Sequence, residues 1–316
     1  MLAILGITTP IFLLISLGYI ARWSGIIQRD QMQGVGVFVL YCALPALVIR
    51  ALTQQPLEEV FKLNYLVAYA LGSIAVFGAG LLLCLKLQRQ PLNASAMQAL
   101  GMSASNSGFV GYPVAAMVIG SPAAVLMALN MVIETLIIIP AALILAEMGS
   151  HQGSSTWITV KKTLLSLIKN PVLVGLLIGI CLAVTGVNIP APLFKAIDML
   201  AEAAGPAALF VIGGALFGLQ VKGMASDVGQ IVIGKLIIHP LLIFIAFYFV
   251  PGIDPLYMAG ALLFAAAPMI SIYPLFGQRY GLGGVSAAAM LVATVASFFT
   301  LSLIIGLMSL SGMLAF

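Results

Sequence analysis

Polar and apolar positions along this chain do not alternate with the period of a surface strand or helix; they segregate into long blocks. Asp, Glu, Lys and Arg are absent from windows 1–21, 31–49, 63–85, 90–133, 170–194, 203–221, 255–278 and 280–316, and a further apolar stretch runs from 236 to 253. A helix needs about 20 mostly apolar residues to cross a hydrocarbon core of roughly 30 Å. Each block therefore predicts one crossing. The 44-residue block 90–133 predicts two, parted near Gly120, Ser121 and Pro122. Barrel strands would give alternating segments of about 10 residues, and none is present. The first block lacks the charged flank and cleavage site of a signal peptide and is read as a retained first helix. The pattern predicts an all-α integral membrane protein of ten transmembrane helices.

A second pattern lies in the residues that break helices. At an offset of 161 residues, Pro10 meets Pro171, Gly18 meets Gly179, Gly25 meets Gly186, Pro45 meets Pro206, Tyr112-Pro113 meets Tyr273-Pro274 and Gly120 meets Gly281. No gap is needed. The chain reads as a duplicated five-helix unit, 1–148 and 163–316, joined by a polar connection, 149–162. Five crossings return the chain to the opposite side, so the second copy enters inverted, as in many secondary transporters. Interrupted helices in such folds occupy equivalent positions and meet near the midplane. Here those are the fourth helix, with Gly108, Gly111 and Pro113, and the ninth, with Pro268 and Pro274. Prolines at 113, 268 and 274 are expected to free the carbonyls of Phe109, Phe264 and Ile270.

Composition sharpens this reading. Apolar residues make up 62% of 316, charged residues 7%, and mean hydropathy is +1.19, against roughly 25% charged in soluble domains. The loops after odd-numbered helices hold Arg22, Arg29, Lys86, Arg89, Lys161, Lys162, Lys169, Lys222, Lys235 and Arg279, and the other side holds Arg50, Lys62 and Lys195. Ten against three places the first set in the cytoplasm and both termini outside, in a plasma (inner) membrane. The net charge of +4 thus serves orientation, and no nucleic-acid partner is implied. Cys42, Cys84 and Cys181 lie in separate apolar blocks with no metal or disulfide spacing. With His151 and His239 far apart, no metal site is proposed, and no phosphate-binding or nucleophile-elbow motif is present.

The stretch Ser105-Asn-Ser-Gly-Phe-Val-Gly-Tyr-Pro113 brings polar groups and helix breakers into a charge-free block, where lipid cannot satisfy them. Half-helices that start after a break offer N–H groups and partial positive charge, so a small anion is the natural guest. Ser105, Asn106, Ser107 and Ser271 are the candidate substrate donors.

Three segments carry a family resemblance: Leu-Tyr-Cys-Ala-Leu-Pro-Ala-Leu-Val-Ile at 40–49, Ser-Asn-Ser-Gly-Phe-Val-Gly-Tyr-Pro-Val at 105–114, and Ala-Ala-Ala-Pro-Met-Ile-Ser-Ile-Tyr-Pro-Leu-Phe-Gly-Gln-Arg-Tyr-Gly at 265–281. The chain resembles the auxin efflux carrier family along its whole length, especially bacterial members described as malonate or malate permeases. The resemblance implies two inverted five-helix repeats related to bile acid/sodium symporters, with the fourth and ninth helices crossing. It implies a transport domain of helices 3–5 and 8–10, and a scaffold of helices 1, 2, 6 and 7 that often forms a homodimer. Organic-anion transport by alternating access follows as an expectation. Asn106 matches an asparagine that plant members place near the substrate carboxylate, and Pro113 and Pro268 match crossover prolines. Ser105 replaces a proline of the plant carriers, the second proline of the ninth helix is shifted, and the long hydrophilic loop is missing. These departures favour a small polar mono- or dicarboxylate over an auxin-like aromatic one.

Glu134 falls mid-span just after Asn130, one helical turn away on the same face. An intramembrane carboxylate is a functional candidate by default, and it aligns with a plant glutamine, which also suits a structural hydrogen bond. Proton uptake through Glu134, or a sodium ion held by freed carbonyls, are the two coupling candidates; a uniport or efflux mode needs neither. His239 either lines the cavity or is packed. Arg50 and Lys235 are read as snorkelling from helix ends, and Glu202 as the start of the seventh helix. The core then holds no fixed positive charge. A secondary transporter of a small organic anion, with no cofactor beyond a coupling ion, is the expected function. A non-transporting membrane sensor with the same fold is the alternative, and an enzyme is disfavoured because only one acid is well placed.

Overall fold

A computed structural model describes residues 2–54, 62–150, 170–187, 189–218 and 225–314. Most of the connection 149–162, with His151, Lys161 and Lys162, lies outside the described residues, as do Lys169 and Lys222. The described chain is all helical. Its elements are α1 (Leu2–Trp23), α2 (Arg29–Gln54), α3 (Leu63–Leu87), α4 (Leu92–Ser103), α5 (Ser107–Ile119), α6 (Pro122–Gly149), α7 (Pro171–Thr185), α8 (Ala191–Leu216), α9 (Ala225–Phe249), α10 (Pro255–Ala266), α11 (Tyr273–Arg279) and α12 (Gly283–Leu310). Six of them, α2, α3, α6, α8, α9 and α12, are long and apolar enough to cross a membrane.

Local chemistry sets the boundaries. Asn170 accepts from the amides of Val172 and Leu173, and Asp254 from that of Leu256, so each caps the helix it precedes. Pro122, Pro171 and Pro255 occupy first turns, where a missing N–H costs nothing. Gly120, between α5 and α6, and Gly281, between α11 and α12, both have left-handed φ, +70° and +80°. Only glycine takes that conformation at little cost.

Two expectations about boundaries are corrected. The seventh helix does not start at Glu202: α8 begins at Ala191 and Glu202 is an exposed residue in its middle. The eighth does not start after Lys235, because α9 begins at Ala225 and places Lys235 halfway along. Both errors come from treating a charge as the end of a span. A helix of 25 or 26 residues can hold a charge inside if a partner or a solvent-facing side receives it.

α1 packs along α8, and α2 packs on both α7 and α8; α3 lies against α9, α4 against α6, and α11 against α12. Between these groups the chain is interrupted twice, at 104–106 between α4 and α5 and at 267–272 between α10 and α11.

Candidate functional site

The two interruptions cross. Ser105 and Met269 form an isolated antiparallel bridge, closed by Asn106 N donating to Pro268 O at 2.8 Å and Ile270 N donating to Ala104 O at 3.3 Å. Ala104 and Ala267 are extended, with ψ of 127° and 152°. For Ala267 the following proline enforces this. Apart from Ala104, Ser103 to Gly108 are weak helix formers.

Of the expected break residues, Pro268 lies in the second interruption, while the others lie inside helices. Gly108 and Gly111 lie inside a π-helical first turn of α5, and Pro113 follows in its next turn. They serve close packing: a Cβ on Gly108 would lie 2.9 Å from Leu44 Cδ1, and one on Gly111 would lie 2.6 Å from Phe264 Cδ1. Pro274 likewise lies in the first turn of α11. The carbonyls of Phe264 and Ile270 are not free either. They accept from the amides of Ala267 and Tyr273. At the crossover the carbonyls of Ala104, Ala265 and Pro268 accept from the amide of Ile270, Lys235 and the amide of Asn106.

A cavity of about 460 Å³ opens beside the crossover. Tyr41 and Leu44 of α2, Ser105 to Phe109, Glu134 and Thr135 of α6, and Ile270 to Ile272 line it, and it continues to Leu143, Asn170 and Pro171 at the α6–α7 end. A second cavity of about 450 Å³ lies beyond Leu47, bounded by Arg50 and Gln54 of α2 and by Tyr112, Gly120 and Ser121. The two sit at opposite ends of α5. Arg50 is paired with Asp198 of α8 at 2.8 Å.

All four candidate substrate residues reach the first cavity, but their side chains are already engaged. Asn106, 5% exposed, accepts from Phe109 N through Oδ1 and donates from Nδ2 to Ser271 Oγ at 2.8 Å. Ser107 Oγ donates to Glu134 Oε1, and Ser105 Oγ accepts from Lys235. What remains open is backbone. The amides of Ser107 and Gly108, the first two of α5, make no backbone hydrogen bond among the described residues, as first-turn amides cannot. The Asn106 amide also keeps a second N–H.

Glu134 is 2% exposed. Its Oε1 receives Ser105 N at 3.0 Å, Ser107 Oγ at 3.0 Å and Tyr69 OH at 3.4 Å. Asn130, one turn earlier, accepts from Tyr65 OH at 2.9 Å, and its Nδ2 is buried with no partner. Opposite, on α9, Lys235 is fully buried. Its ammonium contacts Ser105 Oγ at 2.7 Å, Ala265 O at 2.6 Å and His239 Nδ1 at 2.8 Å, and His239 Nε2 reaches Ser73 Oγ at 3.3 Å. His239 is thus packed behind the lysine and does not line the cavity. Lys235 neither snorkels nor belongs to a loop: its amino group is buried in the core. The available signal was its spacing: Lys235 and His239 stand one turn apart in a continuous apolar segment.

Known proteins similar in sequence to this chain carry transport names. The family described as "Membrane transport protein" matches residues 4–305. A protein of Rhizobium meliloti (strain 1021) named "Putative malonate transporter" is 29% identical over 296 residues, 93% of this chain and 92% of that protein. The "Uncharacterized transporter YfdV" of Escherichia coli (strain K12) is 25% identical over 240 residues, 75% of this chain and 76% of that one.

Proposed function

The chain belongs to the membrane transport protein family, and from that premise we propose that this multi-pass membrane protein is a secondary transporter of a small organic anion, a mono- or dicarboxylate of malonate or malate type. The observation that carries the reading is the cavity at the crossover, where the unpaired amides of Ser107 and Gly108 open the N-terminus of α5 beside the Asn106 carboxamide. Amides at a helix start favour an anion. A carboxylate would bind them and the second N–H of Asn106, and Ser271 is positioned to yield its bond to that side chain.

In this reading the chain forms ten crossings in two inverted repeats, with α4–α5 and α10–α11 as the fourth and ninth. The 161-residue offset, under which Gly120 and Gly281 share a left-handed φ, supports it. Helices α1, α2, α7 and α8, which pack on one another, are the scaffold and the candidate homodimer surface; α3–α6 and α9–α12 are the moving domain. Both termini face outward. The two cavities at opposite ends of α5 support alternating access, with the one at the crossover directed to the cytoplasmic side. Coupling falls to a proton at Glu134 or to a sodium ion.

Uptake of labelled malonate, malate and an aromatic carboxylate into proteoliposomes tests the proposal. Saturable uptake of the small dicarboxylates, competed by one another, is expected. Absence of uptake for every carboxylate, with no thermal stabilisation by any, would leave the sensor reading in its place.

A further inference from the structure

Lys235 is the sole buried lysine or arginine among the described residues, and the transport reading above gives it no role. Its surroundings are those of a small monovalent cation. One ligand, Ala265 O, is a carbonyl at the C-terminal end of α10, where unpaired carbonyls carry the helix's partial negative charge. A second is the hydroxyl of Ser105 in the other interruption, and the third is the ring nitrogen of His239. All three are neutral, and two are oxygens that a sodium ion also accepts. The carboxylate of Glu134 lies on the far side of Ser105: the serine amide donates to Glu134 Oε1 while its hydroxyl accepts from the ammonium. One serine therefore ties a buried carboxyl group to a buried amino group across the crossover, with no direct pairing between the two.

We infer that the Lys235 amino group, protonated, is a resident cation that takes the place a coupling cation would otherwise fill between Ser105 and Ala265, so that anion binding and transport here require no sodium ion. Its placement explains why the bridge at Ser105 holds: α10 ends, α5 begins and α9 passes at one point, and the ammonium ties the three together. Burying an unpaired ammonium is costly, and here four groups share the compensation: three direct ligands and the carboxylate beyond Ser105. Lys235 does not line the cavity. It acts on the anion through Ser105 and through its charge, as a positioning residue. The inference rests on the anion-carrier reading for its consequence in transport, but the cation site stands on the unliganded protein alone.

The test is thermal unfolding of the purified protein in chlorides of sodium, potassium, choline and ethylammonium at equal ionic strength, for wild type and Lys235→Ala. Wild type is expected to unfold at one temperature in all four. Lys235→Ala vacates the three ligands, so it should unfold earlier in choline and recover roughly 2–4 °C in sodium or ethylammonium. A purely structural lysine would give the loss without cation-selective recovery. Stabilisation of wild type by sodium over choline, or a variant indifferent to every cation, overturns the inference. If Lys235→Ala does not fold, uptake by wild type in sodium-free choline medium decides: equal uptake supports it and sodium-stimulated uptake overturns it. Failure of all carboxylate uptake removes the carrier reading and leaves the unfolding comparison intact.

Discussion

The two interruptions that cross at the centre are built from different materials. The first, between α4 and α5, is Ala104-Ser105-Asn106 followed by Ser107, and every polar side chain in it has a partner: Lys235, Ser271 and Phe109, and Glu134. At the positions 161 residues later the second half has Ala266, Ala267 and Pro268, and it contributes mainly backbone: the carbonyls of Ala265 and Pro268 and the amide of Ile270. The same holds one helix on, where Glu134 in α6 corresponds to Val295 in α12, which is 56% exposed. The lesson is a division of labour. One copy kept the polar side chains, and the other kept the shape that receives them and supplied a buried lysine from α9.

The most damaging way to break this division is to make the first half resemble the second. Glu134→Leu removes the acceptor of Ser105 N, Ser107 Oγ and Tyr69 OH and leaves the Lys235 charge buried without a counter-charge. Unfolding in mixed micelles should show a loss of about 3–5 kcal/mol. Glu134→Leu combined with Lys235→Leu should recover much of it, because removing both charges costs less than removing one. By contrast Val295→Ala, at the corresponding place, should stay within about 0.5 kcal/mol. Equal losses at 134 and 295 would erase the asymmetry.

Asn106→Ala comes next. It removes the side-chain acceptor of Phe109 N at the start of α5, worth about 1 kcal/mol, and takes away the donor nearest the free amides. Carboxylate affinity, read by titration calorimetry, should fall at least tenfold, which is about 1.4 kcal/mol of binding. Ala267→Asn added to this variant should restore nothing, since Ala267 is fully buried among apolar neighbours. Recovery by that graft would show that the halves are interchangeable.

How much of this was visible in the amino-acid order depends on which force placed each residue. The interruptions, the parting near Gly120 and the candidate Glu134 were legible, because helix breakers and intramembrane carboxylates have few places to go. Pro268 marked the second interruption correctly, but the position of the first was not legible. Pro113 and Gly111 mark where α5 packs against its neighbours, and the chain opens several residues earlier, at Ala104. Lys235 was misread because a lysine beside an apolar block looks like a boundary. Only the fold brings Ser105, Ala265 and His239, each from a different element or turn, to its ammonium.

The gentlest test falls on the one hydroxyl that the second interruption lends to the site. Ser271 Oγ accepts from Asn106 Nδ2 and is only partly buried, so Ser271→Ala should cost about 0.5–1 kcal/mol of stability. Its effect on binding should run the other way from that of Asn106→Ala. With Ser271 gone, both N–H groups of the Asn106 amide are open to a carboxylate, so affinity should hold or tighten by up to about threefold, since a bond worth roughly 0.6 kcal/mol no longer has to be broken first. Calorimetric titration of malonate into Ser271→Ala reads this directly. A fall in affinity as large as that of Asn106→Ala would mean that the hydroxyl itself contacts the anion, and recognition would then belong to both halves rather than to one.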